Sequence, residues 1–153
     1  MRDFVVPQTD PATKVQGAVH LEYAFRLRAR YDPPRASDTP RGTFRYQDIT
    51  GGELEGARVK ATVYPDSGGQ YDIVRPDRVR DVDAHFMLRT DSGEWLYMEH
   101  VGYRRTDGYY RAIAYVDADL KGAYEWMTNT TFVVSAEESK DQREVTFHYW
   151  IAN

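Results

Sequence analysis

From Leu21 the chain alternates. Leu21, Tyr23, Phe25, Leu27, Ala29 and Tyr31 fall on one side, and Glu22, Arg26, Arg28 and Arg30 fall on the other. Successive side chains of a strand point to opposite faces, so this run predicts a half-buried strand. Pro33-Pro34 and Pro40 end it, and residues 43–49 alternate again. Thr50-Gly51-Gly52 predicts a turn. Residues 53–64 predict a long strand with Gly56 as a bulge, closed by Pro65-Asp66-Ser67-Gly68-Gly69. Residues 71–75 form a short run that stops at Pro76-Asp77. The clearest hairpin joins residues 80–90 to residues 94–104 through Asp91-Ser92-Gly93. A three-residue loop ending in glycine suits a type I turn followed by a left-handed bulge residue. Residues 109–116, 129–136 and 143–151 are rich in β-branched and aromatic types and read as strands. Only residues 117–127 have room for a short helix or turn, and Gly122 weakens a helix there.

Closely spaced strands with turn punctuation predict an all-β protein, an antiparallel β-barrel of the calycin or lipocalin-like kind. Twelve tyrosines, three tryptophans and six phenylalanines suit a walled lumen open at one end. Residues 1–19, with Pro7, Pro11 and Gly17, read as an N-terminal arm whose Phe4-Val5-Val6 can dock on the body or a second copy. Residues 20–153 read as a single barrel domain, because 153 residues is the size of one hydrophobic core. The absence of cysteine excludes disulfides, zinc–thiolate sites and thiol nucleophiles. A net charge of −4 argues against nucleic-acid or anionic-membrane partners, so the basic Arg26, Arg28 and Arg30 stripe reads as a solvated strand face. No apolar run approaches the ~20 residues of a membrane span, and the start lacks the apolar segment of a secretory signal, so the expected location is cytoplasmic.

Several short stretches follow one another in a telling order. They are Thr39-Pro40-Arg41-Gly42, Ile49-Thr50-Gly51-Gly52 with Glu55-Gly56, Arg75-Pro76-Asp77, Val82-Asp83 and Leu88-Arg89-Thr90-Asp91-Ser92-Gly93. Tyr97, Gly102-Tyr103-Arg104, and Tyr124-Glu125-Trp126-Met127 leading into Thr130-Thr131-Phe132-Val133 continue the series. Together, over residues 20–137, they resemble the domain-of-unknown-function 3237 (DUF3237) family of small bacterial and fungal proteins. The resemblance implies a β-barrel with no assigned activity. The family's natural-product and aromatic-compound settings imply, by association, a small-molecule role. The chain departs from the family pattern at His85, where the family has arginine, and at Thr128, where asparagine follows the Trp-Met pair. It also varies a Gly-Gly-Ala-Asp-Trp-like turn at Ser67-Gly68-Gly69-Gln70-Tyr71. An activity carried by those positions would be altered here.

With Asp91-Ser92-Gly93 as the loop, Thr90 pairs with Glu94, and counting back sets His85 opposite Glu99, Met87 opposite Tyr97 and Asp83 opposite Val101. The other face, Val82, Ala84, Phe86 and Leu88 against Leu96, Met98, His100 and Gly102, is apolar. The resemblance at Asp83 and Tyr97 favours the mixed polar face as the lumen. The opposite assignment puts His100 inside and His85 in solvent. An imidazole beside a carboxylate can act as a general base, which makes His85 the candidate base with Glu99 and Asp83 as orienting or second acid/base groups. Tyr97 can donate to an oxyanion or enolate, and Arg75 can hold an acidic substrate. Trp126, matching the family-like pair near Tyr124, and Glu55, beside the expected bulge, are candidate substrate contacts. Plain alternatives stand beside each: a solvated His–Glu pair, a core tryptophan, an exposed strand carboxylate. Adjacent Glu99 and His100 point to opposite faces, so no metal site is expected. Dinucleotide, phosphate-loop and serine-elbow motifs are missing, so no cofactor is expected either.

These readings converge on a cofactor-independent small-molecule enzyme that isomerises, cyclises or dehydrates an apolar or aromatic carbonyl compound by proton transfer in the barrel lumen. The alternative is a non-catalytic carrier barrel. The arm and the apolar hairpin face both ask for a covering surface, which suggests a homodimer.

Overall fold

In the computed structural model, which describes residues 19–153, the alternation beginning at Leu21 forms β1 (Leu21–Tyr31). The arm expected over residues 1–19 lies outside the described residues, Val19 excepted. The chain continues through β2 (Arg35–Thr39), β3 (Gly42–Gly56), β4 (Lys60–Val63), β5 (Gly69–Val74), β6 (Arg80–Thr90), β7 (Trp95–Arg104), β8 (Tyr110–Ala118), β9 (Phe132–Glu138) and β10 (Glu144–Ala152). Every strand pairing among the described residues is antiparallel. β1 pairs with β10, then β9, β8, β7 and β6 follow, and β6 pairs with both β4 and β5, which lie on β3. β3 returns to β1 and closes an eight-strand barrel in which β4 and β5 share one position. Among the described residues the one short helical element is a 3₁₀ turn at Glu125–Asn129.

Two local expectations are corrected. Thr50-Gly51-Gly52 is not a turn but the middle of the 15-residue β3. Gly52 lets the backbones of β1 and β3 approach closely, since a Cβ there would lie 2.7 Å from the Arg28 carbonyl oxygen, whereas one on Gly51 would meet only the Arg30 guanidinium at 3.1 Å. Gly56 is not a bulge in one long strand. It ends β3 and opens a tight turn, its N–H donating to the Val59 carbonyl at 2.9 Å, before β4 pairs back through Glu55 and Lys60. The expected helix near 117–127 moves toward the C-terminus. β8 runs to Ala118, and Gly122 donates to the Asp119 carbonyl in a turn before the 3₁₀ segment.

The hairpin register is the expected one, with His85 opposite Glu99, Met87 opposite Tyr97 and Asp83 opposite Val101. Its orientation is the reverse of the favoured one. Val82, Ala84, Phe86, Leu88, Leu96, Met98 and His100 are buried inside the barrel, and the mixed polar face points outward. Area explains this: burying such side chains stabilises by about 25 cal/mol per Å², and the cylinder's inside is where a continuous apolar surface can be removed from water. The aromatic residues that suggested a lumen therefore fill it. Phe25 lies 4.6 Å from Tyr149 and 5.3 Å from Phe132 between ring centroids, and His100 lies 4.7 Å from Phe147. The apolar hairpin face is covered within the chain, so it does not call for a second copy.

The interior has two ends of different character. Met127 of the 3₁₀ turn, fully buried, belongs to the same core as Phe132 and Phe25 at one end. At the other, Arg45, Gln47, Gln70, Asp72 and Arg80 point inward and are buried. Phe147 sits in the middle, against His100, Tyr110 and Tyr149. Phe147→Ala is expected to lower stability by about 3–5 kcal/mol, as truncation of a buried aromatic leaves a cavity. Urea unfolding measures it, and a loss below about 1 kcal/mol would contradict a packed interior.

Candidate functional site

Strand parity places the candidate residues. On β6, Asp83, His85 and Met87 share the outward side, and on β7, Tyr97 and Glu99 meet them across the ladder. β5 adds Tyr71, whose ring stacks on His85 at 4.9 Å with a 16° interplanar angle. The Tyr97 ring lies 6.4 Å from that of His85, and its hydroxyl donates to Glu99 Oε1 at 2.8 Å. The four residues singled out as catalytic thus lie on one accessible face, outside the barrel. Beside them a cleft of about 550 Å³ runs between β3, β5, β6 and β7, with Phe44, Tyr71, Ile73, Val101 and Tyr103 as walls and Arg41, Asp81 and Asp83 as polar lining.

The phenol of Tyr97 is pushed up to about 12, first by partial burial, then by its bond to Glu99 and by the charges of Glu99, Asp117 and Asp83. It stays protonated at neutral pH and remains a hydrogen-bond donor. Arg75 reaches the edge of this region, paired with Asp77 at 2.6 Å and Asp81 at 3.4 Å, in an adjoining hollow that shares Arg41, Ile73 and Asp81 with the cleft. Glu55 and Trp126 are not gathered there. Glu55 pairs with Arg26 at 3.3 Å on the surface of β3 and β1. Trp126 lies over Phe132 at the apolar end, with the Arg58 guanidinium 3.8 Å above its ring. The Arg26, Arg28 and Arg30 stripe is a solvated ladder, paired with Glu55, Glu144 and Glu53. Among the described residues no three His, Asp or Glu side chains gather in a metal-binding group. No described helix is long and apolar enough to cross a membrane.

Sequence reasoning missed the charged end of the interior. Asp72, with no exposed surface, accepts from the Asp83 backbone N–H at 3.1 Å and lies 3.3 Å from Arg45 and 3.5 Å from Arg80. Arg80 also donates to Glu138 at 2.7 Å. A signal was present: Arg80 has the same strand parity as Val82, Ala84 and Phe86, so a charge stands on an otherwise apolar face. Gln70 and Asp72 gave no such signal, because polar residues alternating with Tyr71 and Ile73 have the pattern of an ordinary solvent-facing side.

The profile of the family described as "Protein of unknown function (DUF3237)" matches residues 19–153. A UPF0311 protein of Bradyrhizobium diazoefficiens is 28% identical over 145 residues, 83% of this chain and 93% of the relative. A UPF0311 protein of Rhodopseudomonas palustris is 33% identical over 87 residues, and the match spans 56% of each chain, so little more than half of that relative's length. Among solved structures, a conserved protein of unknown function from Rhodopseudomonas palustris aligns with a TM-score of 0.81 at 22% identity, covering 90% of this chain and all of that one. A β-barrel-like protein from Acinetobacter baumannii gives 0.80 at 21%, over 95% of this chain and 100% of that one. A structure described as an enzyme from Penicillium herquei gives 0.73 at 18%, over 97% and 100%. At these identities the structural likenesses speak to the fold.

Two buried groups make opposing contributions to acid stability. Burial lowers the His100 imidazole from 6.5 to about 3, so the stability it contributes is present above pH 6.5 and is lost as pH falls toward 3. Burial raises the Asp72 carboxyl from 3.8 to about 6 against the pull of Arg80 and Arg45, so its destabilising ionisation is relieved as pH falls from 6 toward 4. Each slope is about 1.4 kcal/mol per pH unit, and between pH 6 and 4 they cancel. His100→Gln is expected to gain stability relative to wild type on acidification through that window, and Asp72→Asn to lose it. Urea unfolding at each pH reads the difference, and parallel profiles for all three proteins would contradict the assignment.

Proposed function

The chain belongs to the DUF3237 family, and on that premise we propose that it is a small-molecule enzyme moving protons on an apolar or aromatic carbonyl compound bound on the outer face of β6 and β7. The carrying observation is the gathering of an imidazole, two carboxylates and a phenol on one accessible face, beside a cleft walled by Phe44, Tyr71 and Tyr103. Reach decides between candidates. Asp72 and His100 lie inside the barrel with no exposed surface, whereas His85, Tyr97 and Glu99 are only half-buried.

In this reading the carbonyl compound lies against the aromatic walls. His85 removes the proton next to the carbonyl, with Tyr71 stacked on the ring to fix its plane, and Glu99 balances the imidazolium that forms. Tyr97, held protonated, turns its O–H from Glu99 to the enolate oxygen, where a donor is worth most as charge develops. His85 then returns the proton to a different atom, which completes an isomerisation or cyclisation, or gives it to a leaving hydroxyl that departs as water, while Asp83 on the same face is the second carboxylate that offsets the imidazolium. Arg75 at the rim offsets the negative charge of the bound enolate. A fungal protein of the same fold is described as an enzyme, which supports what this fold can host and no particular reaction.

The aromatic walls also suit a carrier that binds without turnover. Solvent deuterium exchange into 2-tetralone, a ketone with an acidic α-carbon, separates the two. The enzyme reading expects exchange above background that falls at least about 100-fold in His85→Ala, with the melting temperature unchanged. Binding of the probe with no exchange would support the carrier, and equal exchange by wild type and variant would remove His85 from the mechanism.

A further inference from the structure

The charged end of the barrel interior opens into a second hollow of about 360 Å³, separate from the outer cleft and on the other side of β5 and β6. Five arginines line it: Arg45, Arg78, Arg80, Arg104 and Arg105. Among the described residues, these carboxylates face them. Glu138 takes Arg80 at 2.7 Å and Arg104 at 3.9 Å, buried Asp72 lies between Arg45 and Arg80, and Asp107 holds Arg105 from outside at 3.2 Å. Leaving Arg105 aside, the four guanidinium groups of Arg45, Arg78, Arg80 and Arg104 meet two carboxylates among the described residues, Asp72 and Glu138, an excess of positive charge in a partly dry site.

Burying one guanidinium beside another is costly unless their donors and charge are matched. Arg45 shows the strain electrostatically: burial lowers its guanidinium, and the charge of Arg80 lowers it further. Arg80 shows it in hydrogen bonding. Its side chain is 7% exposed, and its Nε is fully buried with no hydrogen bond, 3.5 Å from Asp72 Oδ2 but misaligned. The Tyr31 hydroxyl is likewise buried without a partner, within the field of Asp72, Glu138 and Arg45. The arginines are also held in place. Arg45 Nη2 donates to Gln47 at 2.7 Å and to Gln142 at 2.9 Å, and Nη1 donates to Asp72 at 3.3 Å, so the fork is positioned before any ligand arrives. Rigid, under-neutralised guanidinium forks are what carboxylate and phosphate recognition uses.

We propose that this arginine-lined end of the barrel binds the oxyanion head, a carboxylate or phosphate, of a small organic acid. Arg78 and Arg104 at the rim meet the anion first. Arg80 and Arg45 supply the inner donors, and a hollow of about 360 Å³ has room for a small acid. The inference does not rest on the outer cleft: the anion site can stand if His85 is inert, and the reverse also holds.

Two probes at constant ionic strength test it, sodium benzoate for a carboxylate head and inorganic phosphate for a phosphate one, with binding read by calorimetry and by the rise in melting temperature. The expected result is saturable one-site binding of at least one probe, weakened about tenfold or more in Arg78→Ala and in Arg104→Ala, and unchanged in His85→Ala. These rim variants leave the Arg80–Glu138 and Arg45–Asp72 contacts intact, so loss of binding is not loss of fold, and the melting temperature without ligand checks that. Benzoate saturation assigns a carboxylate head and phosphate saturation a phosphate head. Binding of neither probe, or binding equal in wild type and both rim variants, would overturn the proposal.

Discussion

Closure of the sheet between β1 and β3 is the constraint from which the other features follow. β1 carries one ladder to β10, from Leu21 opposite Ala152 to Arg30 opposite Glu144, and a second to β3, from Phe25 opposite Gly56 to Tyr31 opposite Ile49. Once both edges of β1 are used, no edge strand is left at that seam, and each strand has an inside and an outside. With a side-chain period of two, the choice is made for all the strands together, because a one-residue slip would carry every apolar residue of a strand to the wrong face. Gly52 sits at this seam, where backbones crowd and a side chain would intrude.

Inside, the two ends of the barrel are held by different forces. The Met127 end is aromatic and aliphatic, and ring contacts such as Phe25 with Tyr149 and Phe132 add to area burial. The Arg80 end depends on mutual satisfaction of charged groups, where removing one partner leaves another charge buried and is far more damaging than removing both. Between them His100 is held neutral, bonded to the Tyr149 hydroxyl at 2.8 Å and ringed by Phe86 and Phe147. Outside, the groups that water can reach are those whose chemistry is available: His85 stacked on Tyr71, Tyr97 bonded to Glu99, and the cleft beyond them.

Much of the architecture was legible from local rules. Period-two alternation marked β1, and the Asp91-Ser92-Gly93 loop fixed the β6–β7 register to the residue, because a turn of known length leaves one pairing. Glycines were harder, since the same residue serves a turn and a close strand approach: Gly51-Gly52 looked like the first and is the second, while Gly56 looked like a bulge and begins a turn. Which hairpin face turned inward was not legible from the hairpin, because curvature is a property of the closed sheet. Family resemblance at Asp83 and Tyr97 pointed to the wrong face for the lumen, although the same residues do lie together. The charged interior at Arg45, Asp72, Arg80 and Glu138 went unseen because its members come from four strands, β3, β5, β6 and β9, and meet only on closure.

The inside–outside assignment supports both the cleft and the arginine-lined end, and chemical labelling of the histidines tests it directly. Brief treatment of the native protein with diethyl pyrocarbonate, followed by peptide mass spectrometry, reports which imidazoles water-borne reagents reach. The account predicts that His85 is modified in the native protein and that His100 is modified only after unfolding. Labelling of native His100 with His85 protected would place the mixed polar face in the lumen and contradict the account.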